Sequence, residues 1–229
     1  MHFTPSLARL LRDRGVRCLL ASFGLTIYGF GTYLQIQANM GLSPWNALSQ
    51  GLADQMGWTF GNASILISLL VIAVDLLLRE PIGVGTLLDA VLVGAFYDLY
   101  DSWGILPVLE NFWLGLAVMV AGLAVLAYSE YMYKSACLGC GPRDALMVGV
   151  GKRLKRLPIG MVSIVISLAV CGVGWLLGGS VGVGTLIFLV CNGLVMQAVF
   201  RLIRFEPRDL THVGLHQMLT RKARLPEES

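Results

Sequence analysis

The chain has 229 residues, of which 56% are hydrophobic and only 14% are charged, with a net charge of +3 and a mean hydropathy of +0.72. A soluble domain of this length needs more charge to cover its surface, so this composition excludes one. The apolar runs are also too many and too long for a signal peptide followed by a soluble domain. The composition therefore predicts a polytopic membrane protein.

Taken in chain order, the apolar runs predict six membrane spans, each long enough for a hydrocarbon core of about 30 Å. Two further segments follow Gly-x-x-Pro motifs and fall short of the roughly 20 apolar residues that a crossing requires. These short helices are either re-entrant, and buried in protein, or amphipathic and interfacial. The predicted spans are 16–40, 60–78, 84–100, 112–133, 158–178 and 183–203, and the short segments are 44–57 and 142–155.

The two halves of the chain repeat the same motifs in the same order. The octapeptide GLSPWNAL at 41–48 returns as GCGPRDAL at 139–146, and GVGTL at 83–87 returns at 182–186. Between them, GNASILISL at 61–69 returns as GMVSIVISL at 160–168. Duplicated halves in a hydrophobic chain are typical of transporters and channels.

Positive charge predicts the orientation of the spans, because Lys and Arg concentrate in cytoplasmic loops. None of the 17 basic residues lies between 80 and 133, where the loop 101–112 is acidic. With six spans, every basic cluster falls on the cytoplasmic side; with eight spans, Arg79, Lys134 and Arg143 would lie outside. Three crossings per half make the second repeat enter from the opposite side, so the repeats are predicted to be inverted.

These observations divide the chain into a cytoplasmic N-terminal segment (1–15), two membrane repeats (16–102 and 112–203) and a cytoplasmic basic tail (204–229). The fold class expected is an all-α polytopic membrane protein with six transmembrane helices, two short Pro-initiated helices and two inverted-topology repeats. The bilayer is its expected partner, together with an unknown small solute and, as an open possibility, further copies of the chain.

The Gly-x-x-Pro motifs suit the start of a helix, where the missing N–H of proline costs nothing. Ser43 is placed as an N-cap of the first short helix, and Asp144 lies in the first turn of the second. Free N–H groups at such starts can face a solute; the alternative is a well-made break between helices. The candidate solute-binding residues are Ser43, Pro44, Asn46, Asp89, Pro142, Arg143 and Asp144.

Gly-Val-Gly-Thr resembles a phosphate-binding loop only superficially, because the following Gly-Lys-Ser/Thr is missing. A tight entry into a helix, with Thr86 and Asp89 as a capping box, explains the first copy better. The glycines around these motifs also allow helices to approach closely. The predicted helix-break and packing residues are Gly41, Gly83, Gly85, Thr86, Gly139, Gly141, Gly182, Gly184 and Thr185.

Ionisable residues in apolar spans are costly and are therefore candidates for function. Asp75 is close enough to the cytoplasmic end of its span to reach the interface, and Asp98 is near the outer end. Asp89 sits more deeply and is the best candidate of these, although none is a proton relay on its own evidence, and the alternative for Asp89 is a role as cap partner only. Cys137 and Cys140 lack further ligands nearby, so we expect them to pack beside a turn, with no metal or cofactor.

In the stretch 41–98, through Gly-x-x-Pro44-Trp-Asn-Ala-Leu, Gly61…Ser64-Ile and Gly-Val-Gly-Thr86-Leu-Leu-Asp, the chain resembles the bacterial YczE-type membrane proteins, related to the YitT family. The second half matches through Gly141-Pro-Arg-Asp144 and the run ending in Thr185, so the resemblance covers about 15–203. The family usually has Asp at the position of Asn46 and commonly Gly-Pro at Gly193-Leu194. The resemblance implies a cytoplasmic-membrane protein and leaves the substrate open.

The sequence thus predicts a small secondary transporter, exporter-like, with a central site between the two Gly-x-x-Pro helices. It would lie in the inner membrane with both termini cytoplasmic. The alternatives are a non-transporting accessory or scaffold protein that supports another membrane or biosynthetic system and, third, a channel. No catalytic residues, no enzyme activity and no nucleic-acid binding are expected, because no nucleophile–base pattern occurs and the three histidines lie in the terminal segments.

Overall fold

A computed structural model describes residues 14–154 and 159–190 of the chain, and these residues form helices joined by short turns. The helices are α1 Arg14–Gln37, α2 Pro44–Met56, α3 Phe60–Leu77, α4 Val84–Trp103, α5 Phe112–Ser135, α6 Pro142–Arg153 and α7 Ile159–Leu176. A further helix, α8, begins at 183 and is described up to residue 190. The all-α prediction and the helix positions are confirmed to within three residues in these ranges. The N-terminal segment, most of the last predicted span and the basic tail lie outside the described residues.

Three of the described helices are long and apolar enough to cross a membrane, namely Gly15–Gln37, Phe60–Leu77 and Phe112–Ser135. Helix α4 has 20 residues but carries Asp89, Asp98 and Asp101. The apolar segment Gly160–Leu176 of α7 is slightly shorter. Large apolar side chains such as Leu77 and Trp175 are more than half exposed on the outside of these helices. Such surfaces are stable against lipid rather than water.

The halves of the chain exchange contacts with each other. Helix α1 packs along α5 and α4, while α2 of the first half packs on α7 of the second, and α6 of the second half packs on α3 of the first. Buried Trp45 of α2, together with Ile67 and Val71 of α3, forms one core cluster with partly buried residues of α6 and α7. Each short helix therefore lies against a long helix of the other half.

The turns that precede the two short helices have the same backbone. Asn39 and Cys137 both have a φ of 52°, and Gly41 and Gly139 have φ values of 101° and 122°. These left-handed conformations are strained for residues with a Cβ atom, so glycine is favoured at the second position. The pairs are 98 positions apart, the same spacing that separates the two sequence motifs.

The first turns of α2 and α6 are also alike. The N-cap residues Ser43 and Gly141 both have φ −59° and ψ 153°, and Pro44 and Pro142 follow at the first helical position. Both prolines are among the most deeply buried residues of the described part. Ser43 occupies the predicted N-cap position, but its side chain makes no capping hydrogen bond.

Each of these turns rests on the start of a helix from the other half. The N–H of Gly85 donates to the carbonyl of Leu138 at 2.9 Å, and the N–H of Gly184 donates to the carbonyl of Met40 at 2.6 Å. A Cβ atom on Gly41 would overlap the backbone of Gly182. The predicted packing role of these glycines is thus seen as backbone-to-backbone contact, which any side chain would prevent.

The capping box predicted for Thr86 and Asp89 is wrong. Helix α4 begins at Val84, where the predicted span begins, and its N-cap is Gly83, so Thr86 is the third helical residue instead of the N-cap. Its hydroxyl accepts from the N–H of Gly83 at 3.2 Å and donates to the carbonyl of Cys140 at 2.7 Å. The same first bond recurs in α8, where Thr185 Oγ1 accepts from the N–H of Gly182 at 3.1 Å.

The expectation that Asp75 reaches the interface is also wrong. Its side chain is fully buried, with 0% exposure, on the inner face of α3. Neither carboxylate oxygen has a hydrogen-bond partner within the described ranges. Asp98, in contrast, accepts from Thr59 Oγ1 at 2.6 Å and from the N–H of Gly61 at 2.8 Å, and so ties the start of α3 to α4.

Candidate functional site

A polar cavity of about 80 Å³ lies at the N-terminal end of α6. Five helices from both halves enclose it, and its wall carries four ionisable side chains and four hydroxyl groups. The lining residues are Leu25, Tyr28, Ser64, Ser68, Asp89, Val93, Glu130, Tyr133, Gly141, Arg143 and Asp144. Charged residues are costly among apolar membrane helices, so their convergence on one cavity marks the candidate site.

Arg143 is the cation that lines this cavity, and it forms no ion pair with a carboxylate of the described residues. Its guanidinium carbon lies 5.4 Å from the centroid of the Trp45 ring, and Nη2 donates to Ser64 Oγ at 3.4 Å. No carboxylate of the described residues lies within ion-pair distance of it. The cation–π contact with Trp45 holds the side chain in position while its remaining N–H groups stay available. The two Pro-initiated helices therefore meet through these two side chains.

Lys134, by comparison, is already neutralised. Its ammonium lies 2.6 Å from Glu130 Oε1, one turn earlier in α5, and 3.4 Å from Asp144 Oδ2 at the start of α6. Lys134 and Glu130 are mostly buried, with side-chain exposures of 16% and 20%. Because a buried charge is tolerated only with a partner, this group links α5 to α6.

Asp89 extends from α4 to the first turn of α6. A Cβ atom built on Gly141 would lie 2.5 Å from Asp89 Oδ2, so the absent side chain at Gly141 makes room for the carboxylate. The positive end of the α6 dipole favours a negative charge there. Asp89 has neither an ion pair within 4.0 Å nor a hydrogen bond to another described residue.

Two buried polar atoms near these charges are unsatisfied. The hydroxyl of Tyr133, a residue that is only 5% exposed, lines the cavity without a hydrogen-bond partner in the described part of the chain. The indole Nε1 of Trp45, whose ring lies beneath Arg143, is also buried without a hydrogen-bond partner among the described residues. Buried groups of this kind normally find a partner, so each such atom requires an explanation.

The structure brings together only some of the predicted binding residues. Asp89, Arg143 and Asp144 line the cavity, and Pro142 fixes the helix start beside it. Ser43, Pro44 and Asn46 are buried at the start of α2 but do not line the cavity. The site therefore belongs mainly to the second short helix, with α2 contributing through Trp45.

Sequence reasoning missed Glu130, Lys134, Tyr28 and Tyr133. The signal was present, because Glu130 and Lys134 are four residues apart at the end of an apolar run, the spacing of a helical ion pair. Ser64 and Ser68 were also visible as elements of the repeat shared with Ser163 and Ser167. What the sequence alone could not supply was that residues of α1, α3, α4, α5 and α6 line one cavity.

The Cys-x-x-Cys pair lies in the turn before α6. The carbonyl of Cys137 accepts from Arg17 Nη2 at 2.6 Å, and that of Cys140 accepts from Thr86. Burial raises the pKa of the Cys140 thiol to about 11, and the Asp144 carboxylate adds to the rise. A protonated thiol is a poor nucleophile and metal ligand. These contacts agree with packing beside the turn.

Comparison with known proteins places the chain in a family. Residues 15–201 match the model described as "Family of unknown function (DUF6198)". A Haemophilus influenzae protein, named only as uncharacterized, is 35% identical over 185 residues, covering 81% of this chain and 84% of the relative. No solved structure matches the chain.

Two proteins of Bacillus subtilis are also similar. The uncharacterized membrane protein YczE is 33% identical over 180 residues, which are 76% of this chain and 80% of YczE. The uncharacterized protein YyaS is 25% identical over 193 residues, which are 79% and 90% of the two chains. The resemblance to YczE is confirmed, whereas the relation to YitT stays a prediction. The chain is an integral membrane protein with apolar spanning helices, and it belongs to the DUF6198 family of YczE-like proteins.

Proposed function

We propose that this protein is a secondary transporter of a small solute and that the cavity at the start of α6 is its solute site. The observation that carries the proposal is the convergence of Asp89, Glu130, Arg143 and Asp144 on one cavity within a membrane protein. Discontinuous helices whose N-termini face a cavity between repeats are the usual solute sites of secondary transporters. Arg143 and Asp89, neither of which forms an ion pair within 4.0 Å with a described residue, are its expected solute contacts.

The proposed topology has six crossings, with α2 and α6 as re-entrant helices and the two halves inverted. The burial of both helix starts supports re-entrance, because an interfacial helix exposes one face along its length. The shared backbone of the two turns and their reciprocal contacts support a two-fold relation. The basic residues then lie on the cytoplasmic side of an inner membrane.

Cysteine labelling tests this topology. Ser102 and Ser180 are both exposed, and each follows the outer end of a proposed crossing. In a variant that lacks the five native cysteines, we expect Ser102→Cys and Ser180→Cys to react with an impermeant maleimide from outside intact cells. Labelling of either position only after the cytoplasm is opened would contradict the six-span proposal.

The transport proposal is tested by solute counterflow into liposomes that contain the purified protein. We expect the wild type to exchange at least one member of a panel of small zwitterions, cations and anions. Asp89→Asn and Arg143→Gln should slow this exchange by about tenfold or more, since each removes a charged contact. Exposed Asp54→Asn and Arg79→Gln make the same chemical changes away from the cavity and should leave the rate unchanged.

The exporter hypothesis concerns the direction of transport. This direction is measured as net solute uptake or release in the same vesicles under an imposed proton or sodium gradient. Absence of exchange for every solute of the panel, with folded and correctly inserted protein, would contradict transport and favour the accessory role. A wild-type rate in both cavity variants would contradict this cavity as the site.

A further inference from the structure

We infer that the solute bound in this cavity is a small zwitterion, with a carboxylate and an ammonium group on neighbouring carbons, as in an α-amino acid. The inference rests on the proposed solute site and names its ligand class. It is carried by a cation and a carboxylate that line one cavity, each without an ion-pair partner in the described residues.

The carboxylate of the solute is assigned to Arg143 and the start of α6. The guanidinium of Arg143 has a fixed fork of donors that suits a carboxylate, and only Ser64 and the Trp45 ring engage it in the described structure. By helix geometry, the N–H groups of Arg143 and Asp144 have no carbonyl acceptor within α6. The N–H of Ala145 is already bonded to the carbonyl of Gly141. The helix start that lines the cavity therefore has two backbone donors without an intrahelical acceptor, beside the guanidinium of Arg143.

The ammonium group is assigned to Asp89. Its carboxylate lies against Gly141, at the same helix start, but not within ion-pair distance of Arg143. Two opposite charges that line one small space without joining leave room for a dipole between them. A zwitterion satisfies both charges at once, whereas a purely anionic or purely cationic solute leaves one of them unpaired, at a high cost.

The remaining charges do not alter this assignment. Lys134 is engaged by both Glu130 and Asp144, so it is not free to bind a solute carboxylate. The two cations Arg143 and Lys134 stand beside the three carboxylates of Asp89, Glu130 and Asp144, an excess of one negative charge. This excess disfavours a plain anion, and unpaired Arg143 disfavours a plain cation.

The size of the cavity and the unpaired hydroxyl group of Tyr133 further restrict which solutes fit. The cavity volume of about 80 Å³ holds roughly five to eight water-sized groups, which suits a solute of the size of glycine or alanine. The hydroxyl of Tyr133 lines this space, is 5% exposed and has no partner among the described residues. A solute carboxylate or ammonium within its reach would supply the missing hydrogen bond.

Isothermal titration of the purified protein in detergent tests the inference without transport. The probes are glycine and alanine as zwitterions, acetate as the carboxylate alone and methylamine as the ammonium alone. We expect glycine or alanine to bind at least about tenfold more tightly than either single-charge probe, because each probe leaves one buried charge unpaired. Equal affinity for acetate or methylamine, or no binding of either zwitterion, would overturn the inference.

Variants assign each end of the solute. Arg143→Gln should remove the advantage of glycine over methylamine, and Asp89→Asn should remove its advantage over acetate. Tyr133→Phe should weaken the zwitterions and the single-charge probe that carries the group bonded by this hydroxyl, and should leave the other single-charge probe unchanged. Arg143→Lys and Asp89→Glu, which keep the charges, should retain the zwitterion preference, and elution and melting of each variant check that it is folded. Reversed assignments of the two ends would contradict the geometry argued above.

The two proposals fail in different ways. Zwitterion binding without counterflow would contradict transport and leave the ligand class intact. Counterflow of a singly charged solute, faster than that of glycine or alanine, would keep the transporter and overturn the zwitterion.

Discussion

The starts of the two short helices, α2 and α6, share a backbone but differ in chemistry. Ser43 and Gly141 have identical dihedral angles, and both are followed by a buried proline. Yet the next residues are Trp45 and Asn46 in one half and Arg143 and Asp144 in the other. The comparison shows that both halves have a proline-initiated helix after a tight turn, whereas only the second half has charged residues in the first turn of that helix.

The surrounding helices show the same contrast. Counting back 98 positions from Glu130 and Tyr133 of α5 gives Thr32 and Gln35 of α1, both buried and uncharged. The close approaches of two glycines support this correspondence. A Cβ atom on Gly24 would crowd the backbone of Ser129 and Tyr133, and a Cβ atom on its counterpart Gly122 would crowd Gly31 and Gln35, which are the counterparts of those two residues. Asp89 corresponds to Phe188 by the offset of 99 positions that relates GVGTL at 83–87 to its copy at 182–186. One helix start is therefore polar and charged, while the other is polar and neutral.

The largest effect is expected where the shared backbone is broken. Gly41→Ala and Gly139→Ala each place a Cβ atom at a positive φ and against the backbone of the other half. We expect each to lower the free energy of unfolding in detergent by about 3–5 kcal/mol, combining backbone strain with overpacking. Gly57→Ala, at φ 65° with open space around it, is the matched control and should cost only about 1–2 kcal/mol. Unequal losses at Gly41 and Gly139 would break the equivalence of the two turns.

A slightly smaller loss is expected where the halves differ in charge. Lys134→Met leaves Glu130 and Asp144 without their cation, so the free energy of unfolding should fall by about 3 kcal/mol. The same change at the neutral counterpart, Ile36→Met, should cost less than about 1.5 kcal/mol. Adding Glu130→Gln to Lys134→Met should recover part of the loss. Equal costs at positions 36 and 134 would show that the ion pairs contribute nothing.

The threonines at the starts of α4 and α8 sharpen the comparison at the level of single hydrogen bonds. Thr86→Val removes one accepted and one donated bond, and we expect a loss of about 2 kcal/mol. Thr185→Val removes the one bond that the structure gives it, to the N–H of Gly182, and should cost about 1 kcal/mol. Chemical denaturation of the two variants side by side measures the difference. A larger loss at Thr185 would indicate further partners for that hydroxyl.

The smallest expected effect has the opposite sign. Asp75 of α3 is buried without a partner in the described residues, and its counterpart in α7 is Gly174. Asp75→Asn removes an uncompensated charge, so it should raise the free energy of unfolding by up to about 1 kcal/mol. Asp98→Asn is the matched control, because its carboxylate accepts two hydrogen bonds and the change should destabilise. Destabilisation by Asp75→Asn would reveal a partner outside the described ranges.

Much of the fold could be predicted because helix starts and apolar lengths are local properties. Pro44 and Pro142 fix where the short helices begin, and the apolar runs fix the long ones to within a few residues. The N-cap of α4 was misassigned because Thr86 has the side chain of an N-cap, whereas Gly83 holds that position and approaches Leu138 closely. That approach is a tertiary contact between distant segments, and no local pattern contains it.

The site was predicted only in part, for a similar reason. Asp89 and Arg143 could be chosen because single charges in apolar surroundings are conspicuous. Glu130 and Lys134 lie where an apolar run ends, so they read as interfacial residues, and their burial depends on tertiary packing, in which α1 lies along α5. For Asp75 the error was the reverse, because a buried residue was predicted to reach the interface. Its position near a helix end does not show whether its face of the helix is covered by other helices.

The contacts that each turn before a short helix makes with a helix start of the other half have a consequence for biosynthesis. The Met40 carbonyl and the Gly41 turn leave the ribosome long before Gly182 and Gly184, the residues that complete their contacts. The contacts of this turn therefore stay incomplete until synthesis has reached the start of α8. A chain truncated after α4 is expected to be a substrate for quality-control proteolysis, and separately expressed halves are expected to rescue each other when they are made together.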